Sequence, residues 1–303
     1  MLILRLIKRN ILVYVRDRSN VFFSLLSAMI IIGLMVVFLG KMNADGVVDL
    51  LKQYGGTRDA LADRTHAEQL VMLWTLAGIV VVNSVTISLS MVGIMIEDEA
   101  QKRLSSFFVT PVKRGVFVLS YISAAFIMGI IMCVLTVVIG EAYICSTGGT
   151  ILSAAALGKI FLYIVLNVFT SATMVFLIAN FVHSQSAFSA VSTLIGTLVG
   201  FLAGIYLPMG MLPEKVQSVL RWFPLLHGCS FMRSVFTEDI LNTTFSNCPS
   251  EMISGYREYM GITILYQDKA MSGTFQVAFM VISGIIFIGI AAILQRKRNV
   301  MSR

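Results

Sequence analysis

Six uninterrupted apolar runs, near residues 21–39, 70–96, 116–140, 159–182, 187–207 and 274–294, restrict what this chain can fold into more than anything else in it. Each holds about 20 residues or more, and at about 1.5 Å per residue a helix of that length crosses a hydrocarbon layer of about 30 Å. The Val and Ile in these runs suit strands. A lone strand in lipid would leave its amides unpaired, so helices are expected. Of the 303 residues, 57% are hydrophobic and only 13% charged, more apolar side chain than one water-soluble core can hide. With no repeat or low-complexity linker to divide it, the chain reads as one all-α integral membrane domain over 1–303 with six transmembrane helices.

The formal net charge of +7 invites a nucleic-acid reading, but the bases gather between apolar runs instead of forming one basic face, so no nucleic acid is expected. Arg5, Lys8, Arg9, Arg16 and Arg18 precede the first run. Lys102, Arg103, Lys113 and Arg114 separate the second and third, and Arg296, Lys297, Arg298 and Arg303 follow the last. The loop at 40–69 balances five acids against four bases, and the loop at 208–273 balances six against five. Basic flanks mark the cytoplasmic side, which puts both termini there. The first run is too long for a signal-peptide core and lacks a small-x-small site, so no cleavable leader is expected.

Residues 2–18 form a separate element. On a helical wheel Arg5, Lys8, Arg9 and Arg16 share about a third of the circle, interrupted by Leu12, and Ile3, Leu4, Ile7, Ile11, Tyr14 and Val15 fill much of the rest. That pattern predicts an interfacial amphipathic helix with its bases toward lipid phosphates. In 208–273, Pro208 and Pro213 bracket a turn, and Val216, Val219, Leu220 and Phe223 share one face of a short helix ended by Pro224. The apolar stretch Leu225 to Phe236 around Arg233 is too short to cross, so the pair reads as re-entrant or outer-leaflet helices, with 237–272 polar and outside.

Chemistry-bearing motifs are absent. Gly40-Lys41 and Gly158-Lys159 are followed by Met42 and Ile160, where a phosphate-binding loop needs Ser or Thr. There is no G-x-S-x-G elbow, no H-E-x-x-H pair and no Cys spacing for zinc, and His66, His183 and His227 read as loop residues. An enzyme is not expected. Carboxylates are missing from the middle of the spans, which disfavours an ion-coupled carrier. The spans carry only mild polarity. Asn83, Thr86 and Ser90 share one face, and Asn167, Thr170, Ser171 and Met174 another. These either line a substrate path or make interhelical hydrogen bonds of about 0.6 kcal/mol each. Ser192, Gly196, Gly200 and Gly204 recur every four residues, a stripe on which another helix, of this chain or a second copy, can pack closely.

The inner loop 97–115 is the most informative segment. Glu97, Asp98 and Glu99 precede Gln101, Lys102, Arg103 and Leu104, an order of charge that suits a short helix and its dipole. Phe107 and Phe108 would be wasted on water and are expected to insert into a partner or the membrane interface. Thr110 and Pro111 then turn the chain toward Lys113, Arg114 and the third span.

This order of parts resembles the membrane subunit, or permease, of the second class of ABC exporters, which includes drug-efflux and polysaccharide-export permeases. The shared parts are an elbow helix ending Arg16-Asp17-Arg18, two spans, and an acidic-basic loop ending Thr110-Pro111-Val112-Lys113-Arg114. Three spans follow, then an outer hairpin running from Pro208 through Leu212-Pro213 to Phe223-Pro224-Leu225, with Arg233 beyond. Where the group often carries Gly-Thr after its acids, this chain has Gln101-Lys102-Arg103. The resemblance implies a cytoplasmic ATP-binding subunit as partner, with ATP and Mg on that subunit and no cofactor in this chain. It also implies a homodimer or a pairing with a related permease. By the same resemblance 97–110 is the coupling helix seated on the ATPase. The implied location is a bacterial cytoplasmic membrane, and the implied activity export of a hydrophobic or amphipathic drug, peptide or lipid-like substrate. An ion-coupled carrier and a non-transporting scaffold or immunity protein are the alternatives. The outer placement of Cys145, Cys229 and Cys248 leaves a Cys229–Cys248 disulfide open.

Overall fold

The computed structural model describes residues 2–34, 40–54, 59–101, 103, 114–182, 184–266 and 269–301. Its helices are α1 (Leu2–Arg16), α2 (Arg18–Leu34), α3 (Gly40–Tyr54), α4 (Ala60–Ala100), α5 (Arg114–Ser146) and α6 (Ala154–Ala179). They continue with α7 (Gln185–Leu202), α8 (Glu214–Leu220), α9 (Pro224–Thr244), α10 (Ser250–Tyr259) and α11 (Gly273–Met301). A 3-10 turn covers Met209–Met211, and β1 (Leu265–Tyr266) pairs antiparallel with β2 (Lys269–Ala270), a two-rung ladder that the all-helical expectation did not contain. Among the described residues, five helices are long and apolar enough to cross a membrane: α4, α5, α6, α7 and α11. The first expected span, 21–39, coincides with α2 as far as Leu34, and 35–39 lie outside the described residues.

α4 is the central helix. Of its most apolar stretch 83% is buried, against 17% for α7 and for α11. Polar side chains stitch it to its neighbours: Asn83 Nδ2 donates to Thr136 Oγ1 of α5 at 2.7 Å, and Ser84 and Ser171 of α6 share a hydrogen bond of 2.8 Å. α6 in turn packs on α11, where Thr170 Oγ1 reaches Met280 O at 3.5 Å.

Three stretches depart from the sequence reading. The expected loop 40–69 is two helical segments, α3 and the first turns of α4. Ala44, Val47 and Leu51 recur at helical spacing and bury against α4, while Arg64 joins Asp45 across the pair. Asp59 caps α4 by accepting from Leu61 N at 2.9 Å. The polar segment after Phe236 is not all loop either. α9 runs on to Thr244 with Ile240 and Leu241 buried, and His227, expected in a loop, is buried in its first turns with Nε2 2.9 Å from Arg221 O. The third departure is in α1, which buries Asn10, absent from the apolar set of the wheel, together with Leu6 and Tyr14.

The fifth apolar run stops at Leu202 instead of continuing to 207, and the cause is local. Gly204 has φ +61°, its N–H bonds to Phe201 O at 2.9 Å, and Ile205 N bonds to Gly200 O at 2.9 Å. This left-handed glycine closure satisfies the last carbonyls of α7 and turns the chain away.

Candidate functional site

At the end of the bundle that holds α1, three side chains converge on one carboxylate. Asp98, in the last turn of α4, is 1% exposed. Its Oδ1 accepts from Arg9 Nη2 at 3.0 Å and from Arg103 Nη1 at 3.3 Å. Its Oδ2 accepts from Tyr121 OH of α5 at 2.6 Å and from Arg9 Nη1. Alongside, Asn10 Nδ2 donates to Ser120 Oγ at 3.3 Å, so α1 is held to α5 by polar as well as apolar contacts. Burial by itself raises a carboxyl pKa. Here the hydrogen bonds from Arg9 and Tyr121 outweigh it and hold Asp98 below the ordinary carboxylate range. Arg9 is thereby turned inward, although the wheel grouped it with the lipid-facing bases. Arg5, Lys8 and Arg16 of that group are exposed.

The acidic triplet divides three ways. Asp98 points into this cluster and Glu99 is exposed. Glu97 accepts from Gln101 Nε2 at 2.9 Å, with Arg103 Nη2 at 3.9 Å. Of the other residues expected to couple to a partner, Lys102, Leu104, Phe107, Phe108, Thr110 and Pro111 lie outside the described residues.

Beside the cluster lies a cavity of about 690 Å³ between α1, α2, α4 and α7. α4 contributes Thr86, Ser90, Gly93 and Glu97, and α7 contributes Gln185, Ser189, Ser192 and Gly196; both sets repeat at helical spacing. Tyr14 of α1, Asp17 between α1 and α2, and Phe23 of α2 complete the wall. The cavity therefore brings together residues that the sequence offered in separate groups: two from the candidate path, two from the small-residue stripe and one from the acidic triplet.

The remaining path candidates are committed elsewhere. Asn83, Asn167, Thr170 and Ser171 are buried, and each bonds across a helix pair. Asn167 Nδ2 donates to Tyr163 O at 2.9 Å and approaches Gly228 O of α9 at 3.5 Å. For these four the interhelical reading is the one the contacts support. The stripe divides too. A Cβ on Gly196 would meet nothing within 4 Å, whereas one on Gly200 would come within 2.3 Å of the Tyr206 ring, and Gly204 is the left-handed closure of α7.

At the opposite end of the bundle is a residue that the sequence marked only by its place after the hairpin. Arg233 of α9 is 0% exposed. Nη2 donates to Ala203 O at 2.9 Å and Gly204 O at 2.8 Å, Nη1 donates to Met260 O at 3.3 Å, and Cζ lies 4.0 Å from the centroid of the Trp74 ring of α4. The guanidinium is thus held by the carbonyl-rich end of α7 and an aromatic face. Trp74 Nε1 donates to the same Met260 O at 2.8 Å. Cys229, one helical turn earlier, donates through Sγ to Ala203 O at 3.0 Å and is not joined to Cys248. The disulfide that the sequence left open is not formed here, and Cys229 belongs to this buried lock.

Comparison with protein families matches residues 1–237 to the family model described as ABC-2 type transporter. No curated protein matches the chain.

Proposed function

Because the chain belongs to the ABC-2 type transporter family, we propose that it is the membrane-spanning subunit of an ATP-driven exporter that moves a hydrophobic or amphipathic substrate out of the cell. The family identifies it as a transport permease and an integral membrane protein. In the proposed complex, ATP and Mg sit on a separate ATP-binding subunit, and this chain holds neither. α1 is the elbow at the cytoplasmic surface of a bacterial plasma membrane, α2 is the first of six spans, and 208–273 is the outer hairpin region with re-entrant helices.

The observation that carries this reading is the cavity between α2, α4 and α7. Thr86, Ser90 and Ser192 line it together with Phe23 and Phe188, a mixed lining that suits an amphipathic molecule. Its wall includes Glu97, next to the Asp98 cluster from which the expected coupling segment departs. A displacement of that segment by an ATPase would act on the cavity through the C-terminal turn of α4. The exposed Leu194, Leu198 and Phe201 on α7 suit a second copy or a related permease closing the path from the other side.

Mild-detergent affinity purification of the tagged chain from its native membranes tests the reading. The expected result is a P-loop ATPase in stoichiometric amount, lost when Phe107 and Phe108 are both replaced by alanine. An intact chain that recovers no ATPase, yet transports in proteoliposomes on an ion gradient alone, would overturn it.

A further inference from the structure

At the end of the bundle opposite α1, the 3-10 turn, α8, α10 and β1 enclose a cavity of about 720 Å³. α8 is divided along its length. Glu214, Gln217, Ser218 and Arg221, at i, i+3, i+4 and i+7, face the cavity, while Val216, Val219 and the following Trp222 are exposed. Trp222 stands edge-on to Tyr266 of β1 and to Phe279 of α11, each at 6.4 Å between centroids, and Phe275 lies exposed beside Phe279. Aromatic rings gathered at the end of an apolar span mark the headgroup level of a bilayer. The cavity therefore opens where phospholipid headgroups lie, with an apolar strip beside it.

The cavity carries both signs of charge. Arg221, Glu214 and Glu258 all line it, and among the described residues no ion pair involves any of the three. A guanidinium matches a phosphate in geometry and charge, and a carboxylate accepts N–H from a primary ammonium. A quaternary ammonium has no N–H to give.

We propose that this cavity binds the headgroup of a phospholipid with a primary amine, the phosphodiester on Arg221 and the ammonium on the carboxylates of Glu214 and Glu258. The acyl chains run along Val216, Val219 and Trp222. The site is separate from the cavity between α2, α4 and α7, and it stands or falls independently of what that cavity transports.

The test is native mass spectrometry of the full chain released from nanodiscs holding equal parts of phosphatidylethanolamine, phosphatidylcholine and phosphatidylglycerol. The expected result is retention of the ethanolamine lipid about tenfold over either of the others, a preference equivalent to about 1.4 kcal/mol. Glu258→Gln removes the preference, Arg221→Ala lowers retention of all three lipids because each carries the phosphodiester, and Arg221→Lys, which keeps the cation, preserves part of that retention. Equal retention of the choline lipid overturns the amine contact, and preference for the glycerol lipid overturns the carboxylate contribution. Displacement of bound lipid by an equal concentration of glycerophosphoethanolamine overturns the lipid assignment in favour of a soluble headgroup compound. These three comparisons use the unaltered chain, so they decide the matter even where a variant fails to fold.

Discussion

Arg9 and Asp98, 89 residues apart in sequence, are joined through both guanidinium Nη atoms, and this contact fastens α1 to the end of α4. Removing Arg9 leaves a buried carboxylate short of its main partner. Breaking a fully buried pair costs about 3–5 kcal/mol, and because the Arg9 side chain is 31% exposed a smaller loss, about 2 kcal/mol, is expected here. Arg9→Ala should therefore lower the thermal midpoint in detergent, and adding Asp98→Asn should recover part of the loss. A double-mutant cycle with coupling below about 0.5 kcal/mol would show that the contact is energetically idle.

The same pair predicts a pH dependence. Folding lowers the Asp98 pKa, so its contribution is present above the unfolded value of about 3.9 and is lost as pH falls through the lower folded value. The stability advantage of the natural chain over Asp98→Asn should stay flat from neutral pH down to about 5 and shrink only in stronger acid. Chemical denaturation at stepped pH measures this, and an advantage already gone near pH 6 would contradict it.

Arg233 should be among the least replaceable residues. Arg233→Met strips donors from Ala203 O and Gly204 O; Ala203 O keeps only the weak thiol bond from Cys229, and Gly204 O, left without that donor, costs about 1–3 kcal/mol. Trp74→Phe loses the bond to Met260 O and weakens the cation–ring contact, together about 1–2 kcal/mol. Thermal midpoints should rank the natural chain above Trp74→Phe, then Arg233→Lys, then Arg233→Met. A methionine variant as stable as the parent would refute the assignment.

Gly228 of α9 is a close-approach position. A Cβ there would lie 1.8 Å from Asn167 Oδ1, so Gly228→Ala must push α9 from α6 or expel the amide. The expected loss is about 1–3 kcal/mol, as for an overpacked core. Asn167→Ala in the same chain removes the obstacle and should restore most of the midpoint. An absence of rescue would place the damage elsewhere.

Gly196 and Gly200 lie one turn apart but should behave differently. Gly196→Leu projects into open space on the cavity wall, so the chain should fold normally while transport, or substrate-stimulated ATPase activity of the complex, falls severalfold. Gly200→Leu collides with Tyr206 and should reduce folded yield instead. Unimpaired transport by a well-folded Gly196→Leu chain would remove the cavity from the path.

The long helices α4, α5, α6, α7 and α11 were readable because run length and hydropathy together decide them. The rest needed information that periodicity does not hold. α3 hides in a segment as rich in charge as a loop, and its buried stripe of Ala44, Val47 and Leu51 is too short to stand out. Arg9 looks like every other base on the α1 wheel until Asp98, far away in sequence, supplies its partner. Ser192, Gly196, Gly200 and Gly204 repeat evenly, yet the end of α7 converts the last two from packing surface to turn geometry. The path candidates divided for a similar reason, since a Thr or Asn on a span bonds another helix or faces a void according to neighbours the sequence does not name.

With 41 residues and no proline, α4 is a strut about 60 Å long, roughly twice the thickness of a hydrocarbon layer. The guanidinium of Arg233 rests against it at Trp74 and that of Arg9 at Asp98, 24 residues or about 36 Å farther along. Pivoted at Trp74, a tilt of about 10° would carry Asp98 sideways by about 6 Å, a displacement comparable with one helical turn. Because cations clasp it at both points, such a swing would take α1 with it at the Asp98 end while the clasp at Trp74 acts as the fulcrum.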